Sequence, residues 1–274
     1  MPVPLNETVS VAAQVTKKNH REVTSMAFPL KTKVPLEDGK IDYKYKLQNH
    51  EGDLVYDPNV CIECGYCLLA CPKEAITLFQ DVLLYEDKSR FVDQEKCVQC
   101  GVCAYVCPVN ALSLEINGEE RIILTETEML PKLTGTTIQT PEGLPVKKWV
   151  EGSVTIDPGR ASKESLEVLC KSCPTGALSV NESGDGVDVD DGQCIYCIRC
   201  SVFASRIDEG IVVRVRRRRF LKDSTNWKIS AVWNRVTERV LGPEGLNKDL
   251  QGSIQVKLAE AALKLKIDKH TKSS

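Results

Sequence analysis

Apolar positions along this chain come in short clusters divided by polar turns, and a helical period is sustained only near the C-terminal end. Two hexapeptides, Lys73-Glu-Ala-Ile-Thr-Leu and Val109-Asn-Ala-Leu-Ser-Leu, repeat one pattern, a helical start that becomes an apolar strand. Between them, Thr77-Leu-Phe and Val82-Leu-Leu-Tyr read as the strands of an enlarged hairpin. Asn117-Gly118 is a tight-turn signal. The segment from Thr134 to Gly143 is rich in turn residues, and residues 117–160 as a whole read as strands and loops with an exposed surface. Ser162 is placed to cap a short helix through Leu169, with Glu164 in its first turn. Ile211-Val-Val-Arg-Val-Arg-Arg-Arg-Arg-Phe begins as a strand and becomes a basic run, which predicts a solvated strand edge, with docking to an acidic partner as the second reading. From Ser224 the spacing predicts a helix with Ile229, Val232, Trp233, Val236 and Val240 on one stripe, stopped at Gly242-Pro243. A second amphipathic helix carries Ile254, Leu258, Ala261 and Leu265. Both would pack on the chain itself or on another subunit, exposed tryptophans favouring the subunit. Residues 1–50 are polar, with Pro2, Pro4, Pro29 and Pro35, and predict an extended arm with short strands.

The chemistry lies in the cysteines. Of the 13 in the sequence, eight fall in two runs, CIECGYCLLACP and CVQCGVCAYVCP. Each is Cys-x2-Cys-x2-Cys-x3-Cys-Pro. Tetrahedral zinc takes separated pairs and closes at four ligands, so a third cysteine at the same short spacing has no use there. A disulfide framework belongs to small secreted chains with an even cysteine count. Three closely spaced thiolates can wrap three corners of an iron–sulfur cube, the fourth coming from elsewhere. Gly65 and Gly101 follow the second cysteine of each run, where a missing side chain lets backbone amides approach sulfur. Pro72 and Pro108 fix the chain as it leaves.

Residues 51–116 thus resemble the bacterial-type ferredoxins that carry two [4Fe-4S] clusters. That resemblance implies an α+β fold and crossed ligation, in which the fourth cysteine of each run serves the other cluster. Cys61, Cys64, Cys67 and Cys107 would hold cluster 1, and Cys97, Cys100, Cys103 and Cys71 cluster 2.

The second half echoes these runs incompletely. Cys173-Pro-Thr-Gly-Ala-Leu repeats the end of a run, but Lys163, Leu166 and Leu169 stand where its first three cysteines would be. Cys194, Cys197 and Cys200 repeat the start of one, but Ala204 and Ser205 replace its Cys-Pro. Under the crossing rule both losses fall on one cluster, and the survivor is held by Cys173, Cys194, Cys197 and Cys200. Ile198 stands where the glycine is expected. Cys170 would pair with Cys173 in a Cys-x2-Cys reading, but register with the other Cys-Pro-x-x-Ala repeats makes Cys173 the ligand and Cys170 a buried or spare thiol. The acidic stretch from Gly184 to Gly192 lacks the ligand offsets of a calcium loop and predicts a solvated hairpin.

The predicted architecture is therefore α+β: an extended arm (1–50), a two-cluster ferredoxin-like domain (51–116), a strand and loop insertion (117–160), a degenerate single-cluster ferredoxin-like domain (161–217) and a helical tail (218–274). The whole chain is similar to archaeal polyferredoxins. Its Arg-rich strand followed by the Trp227/Trp233 helix is similar to the polyferredoxin subunit of formylmethanofuran dehydrogenase. These resemblances imply single-electron relay through three [4Fe-4S] clusters in an anaerobic oxidoreductase complex with protein redox partners, the alternatives being a free shuttle or a subunit whose third cluster is only a staple.

Composition narrows the rest. With 5% aromatic residues in 274, a single large hydrophobic core is not expected, and clusters would supply the crosslinking. A net charge of −2 gives no general attraction to nucleic acid, and one basic run with few aromatics does not change that. No apolar run has membrane-spanning length, and MPVPLNETVS has no signal-peptide pattern, so a reducing cytoplasm is expected. Radical-SAM chemistry needs Cys-x3-Cys-x2-Cys, but Glu74 and Asn110 stand where the last cysteine would fall. No Walker A or Gly-x-Gly-x-x-Gly run is present, so a carrier is expected rather than an enzyme by itself.

Overall fold

The computed structural model describes residues 29–77, 91–223 and 230–271, with side chains as far as 252 and at 255. Five antiparallel strands, β1 (Leu30–Pro35), β2 (Ile41–Lys46), β3 (Glu51–Tyr56), β4 (Leu112–Ile116) and β5 (Glu119–Glu120), form one sheet in chain order. Alternation sets its buried face. Gly52, Leu54 and Tyr56 of β3 and Leu112, Leu114 and Ile116 of β4 point inward onto the cysteine loops, with Tyr56 stacked on Phe91 at 4.2 Å. Asn117 and Gly118 both take positive φ, 53° and 80°, so the turn signal becomes the β4–β5 hairpin.

The arm expected at 1–50 is sheet in its described part. β1 and β2 continue the meander of β3, and Gln94 Nε2 donates to Thr32 O at 2.7 Å while Lys31 Nζ donates to Gln94 O at 2.7 Å. The ends of the spacer meet in one isolated bridge, Ile76 to Val92; the predicted strands Thr77-Leu-Phe, beyond Thr77, and Val82-Leu-Leu-Tyr lie outside the described residues.

Helices α1 (Tyr66–Ala70) and α2 (Val102–Val106) rise from the cysteine loops, and α3 (Ile123–Glu126) follows β5. The turn-rich stretch at 134–143 closes a hairpin of β6 (Thr136–Gln139) and β7 (Pro145–Lys148). Next come β8 (Val150–Asp157), α4 (Lys163–Lys171), β9 (Leu178–Val180), β10 (Val187–Val189), α5 (Arg199–Ile207) and β11 (Val212–Phe220). Ser162 caps α4, its Oγ accepting from Ser165 N at 3.2 Å. β8 pairs along its length with β11, so a boundary at 160 separates two strands of one sheet. The basic run is strand, paired with β8 except at Arg218, where a bulge falls between Arg217 and Arg219.

The last element, α6 (Ala231–Thr271), breaks at Gly242, whose φ of 80° and ψ of 176° precede Pro243. Ser230 caps it, its Oγ accepting from Trp233 N at 3.0 Å; the predicted start at Ser224, with Trp227 and Ile229, lies outside the described residues. Trp233, Val236 and Val240 are buried against α1 and Phe220 of this same chain, not turned toward another subunit. At about 1.5–3 kcal/mol for each fully buried large apolar side chain, this stripe fastens the tail. Beyond the break, Asp249 accepts from Trp233 Nε1 at 2.8 Å and pairs with Lys222 Nζ at 2.7 Å, both side chains nearly out of water. Ile254, Leu258, Ala261 and Leu265 lie on the helix, with side chains outside the described residues. Among the described residues no helix is long and apolar enough to cross a membrane.

Candidate metal centre

The same local backbone recurs wherever a cysteine run begins or ends. Two residues after the first cysteine of each run, Glu63, Gln99 and Tyr196 have φ of 55°, 47° and 56°. Three residues after each Cys-Pro cysteine, Glu74, Asn110 and Gly176 have φ of 54°, 53° and 65°. None but Gly176 is a residue type suited to that region, and Asn tolerates it. The turn curls backbone N–H groups onto sulfur: Gln99 N to Cys97 Sγ at 3.4 Å, Tyr196 N to Cys194 Sγ at 3.4 Å, Ala75 N to Cys71 Sγ at 3.3 Å and Ala111 N to Cys107 Sγ at 3.1 Å. Four N–H groups offered to thiolates are the dipoles that an iron-bound sulfur needs.

The thiols gather in three neighbourhoods. Burial raises the Cys61 and Cys64 thiols above their ordinary value, and Cys107 adds its charge to each. Cys67, fully buried, is likewise raised and feels Cys64, Cys107 and Cys61. Cys97, Cys100 and Cys103 are raised first by burial, and each feels Cys71. One cavity is lined by all four of that second set, with Leu54 and Ile76 as apolar walls. In the third neighbourhood burial pushes Cys197 up to about 12 and Cys200 to about 11, and each feels Cys173 and Cys194. Cys170 is raised by burial and feels Cys173.

Four buried thiols within reach of one another resist ionising together, and cationic iron is what reverses that. Among the described residues no three His, Cys, Asp or Glu side chains converge closely enough to hold a single metal ion. The second set rings a small cavity. That suits a cube with an iron at each corner better than tetrahedral zinc. With four cysteines to each set, the residues fit the group.

The neighbourhoods lie within electrostatic reach of one another. Cys67 of the first set feels Cys103 of the second, and Cys64 of the first feels Cys197 of the third. The latter junction is built by residues that spacing alone does not mark. Gly65 has φ of 76° and no room for a Cβ, because the Ile198 side chain lies over it. Ile198 N donates to Cys64 O at 3.2 Å. The glycine expected at Ile198 is absent because this isoleucine is the knob that fills the space above Gly65. Tyr66 Oη, buried, donates to Ile195 O, and Arg199 pairs with Glu63 while its Nε donates to Ser172 O at 2.8 Å. Tyr56 Oη is a hydrogen-bond neighbour of Cys61, opposing the effect of burial there.

Residues 60–111 match the family model of the 4Fe-4S dicluster domain. The chain therefore contains a ferredoxin-type iron–sulfur domain within a mixed helix and strand fold. No curated protein sequence matches it. Among solved structures it is similar to a chain of the formate dehydrogenase–heterodisulfide reductase–formylmethanofuran dehydrogenase complex of Methanospirillum hungatei. The identity is 20%, over 79% of this chain and 93% of that one, with a TM-score of 0.58. At that identity the likeness is one of fold.

Proposed function

We propose that the chain relays single electrons and holds three [4Fe-4S] clusters in series, as a subunit of a larger oxidoreductase complex. Cys71, Cys97, Cys100 and Cys103 would hold one end of the line, Cys61, Cys64, Cys67 and Cys107 the middle, and Cys173, Cys194, Cys197 and Cys200 the other end. When bound, each cluster supplies a one-electron couple. The residues set its surroundings: burial keeps water away, and the curled loops give sulfur its hydrogen bonds.

The observation that carries this reading is the path of the first cysteine run: its last member, Cys71, lines one cavity with Cys97, Cys100 and Cys103, and Cys64 O accepts from Ile198 N of the third loop at 3.2 Å, so the middle loop adjoins both others. Likeness to a chain of a multi-enzyme redox complex supports a place in an assembly. A cluster kept only as a staple has little to do at the third site, where Leu166 and Leu169 already form an apolar core.

Anaerobically purified protein should hold about twelve irons and as many acid-labile sulfides per chain, and Cys197→Ser should lower both to about eight. In that variant assembly should survive while electron throughput falls. Zinc in place of iron, or about eight irons in the unaltered chain, would sink the three-site reading. Loss of assembly before throughput would turn it into the staple.

A further inference from the structure

The basic run of β11 does more than edge a sheet. With the break in α6 it walls a groove of about 570 Å³ whose charged lining is Arg216, Arg217, Arg218, Arg239 and Lys248 against the single carboxylate of Glu244. Two of these guanidinium groups also touch the peptide that carries the thiols. Arg217 Nε donates to Tyr196 O at 2.8 Å, between Cys194 and Cys197. Arg239 Nε donates to Leu69 O at 2.9 Å, between Cys67 and Cys71. Val215, on the groove wall, packs against the buried cluster of Ala177, Cys194 and Tyr196. The groove thus borders the peptide that carries the middle and third thiol sets.

Arg239 is spent on Glu74, its Nη1 donating to the carboxylate at 2.7 Å, but the other four cations are in no close ion pair among the described residues. Arg217 Nη2 is buried with no hydrogen-bond partner, Arg216 meets Glu244 only at 3.6 Å with both side chains largely exposed, and Arg218 and Lys248 make no ion pair among the described residues. A chain whose net charge is −2 has concentrated positive charge at one place beside its redox sites. We propose that this groove docks the acidic face of a small electron-transfer protein, delivering electrons to, or taking them from, the junction of the middle and third sites. Single-stranded nucleic acid would want aromatic side chains on which to stack bases, and the groove lining has none. Electrostatic steering of an acidic redox protein needs only the charge and the short path.

This inference rests on the relay reading, so its test separates the two. The holoprotein is prepared with Arg216→Glu and Arg218→Glu together, both positions exposed, and beside it a control with Lys33→Glu and Lys46→Glu on the five-stranded sheet. An acidic [2Fe-2S] ferredoxin is the probe, immobilised for direct binding and, in its reduced form, mixed rapidly as the electron donor. At low ionic strength the groove variant should bind at least about tenfold more weakly and accept electrons at least about tenfold more slowly, with a flattened salt dependence; the control should stay within about twofold of the parent. Reduction by titanium(III) citrate should be the same in all three, which tests the relay sites without docking. The docking inference is overturned if the groove variant stays within about twofold of the parent. It is overturned equally if the parent does not bind the ferredoxin, or if a single-stranded RNA of matched charge binds more tightly. Failure of every form to take electrons from titanium(III) would overturn the relay reading itself.

Discussion

Residues 56–116 and 157–220 use the same succession of elements for two different interiors. In the first, a bridge from Ile76 to Val92 joins the stretches five residues after Cys71 and five before Cys97; in the second, Leu178 pairs with Val189 at the same offsets from Cys173 and Cys194. The helices differ. α1 and α2 have five residues each and end at Cys71 and Cys107 in extended conformation, ψ 113° and 117°, so those thiols swing across to the other run. α4 and α5 have nine residues each. With Ala204 in place of the crossing cysteine, nothing stops α5 there, and it runs on to Ile207. Leu166 and Leu169 stand at the offsets of missing ligands, and both are fully buried with Cys200, Ala204, Leu178 and Ile211. Under the proposed ligation, the volume that a cluster would fill in one unit is filled by hydrocarbon in the other, because an interior at crystal-like density has no use for a void. A cluster in this fold is as much a piece of core as a redox centre.

The largest consequence concerns iron. Anaerobic chelation should remove from the first unit most of the roughly 5–15 kcal/mol that holds a small domain together. Hydrogen exchange should therefore lose protection at β3, β4, α1 and α2, while α4 and the Leu166/Leu169 core keep a measurable part of theirs. Simultaneous loss in both units would break the comparison, since hydrocarbon would then be doing no independent work.

Next in size is the hydrocarbon itself. Leu169→Ala should cost about 2–5 kcal/mol in chemical or thermal unfolding of the holoprotein, the range for emptying a fully buried leucine site. The iron content should stay as in the parent, because Leu169 is no ligand. An equal loss of iron would mean that the leucine core and the third thiol set form one cooperative piece.

These contrasts also separate what could be read in the sequence from what could not. The cysteine runs, the Asn117-Gly118 turn, the Ser162 cap and the Trp233-Val236-Val240 stripe are local signals, and each spans a few residues of a fixed geometry. The place of β1 and β2 was hidden, because LKTKVP and IDYKYK are short, lysine-rich alternations that mark strands without naming a partner, and only their pairing with each other and with β3 puts them in the sheet. Positive φ at Glu63, Gln99 and Tyr196 leaves no mark in residue type, since a cluster loop imposes it. The Gly65–Ile198 knob and the Tyr66–Ile195 bond join residues more than a hundred apart, which periodicity does not reach. Of these, Ile198 alone left a trace, as a departure from the expected glycine.

The smallest expected effect tests whether the sulfur environments differ as the sites do. Cys61 has a side-chain hydroxyl, Tyr56 Oη, opposing burial in addition to the Glu63 N–H, whereas Cys97 has the Gln99 N–H and the more distant charge of Lys31, and Cys194 the Tyr196 N–H and Lys148. A hydrogen bond to sulfur favours the form carrying the extra electron, so removing it lowers the potential of that site. Tyr56→Phe deletes the hydroxyl and keeps the ring on Phe91. If the bond is worth about 0.5–1 kcal/mol in the reduced form over the oxidised, the middle site should fall by roughly 20–40 mV, by the one-electron equivalence of potential and free energy. A redox titration followed by electron paramagnetic resonance should find one of three couples displaced and the other two in place. Displacement of all three would mean that Tyr56 acts through the packing of the sheet on the loops, and no displacement would mean that Cys61 is tuned by its backbone alone.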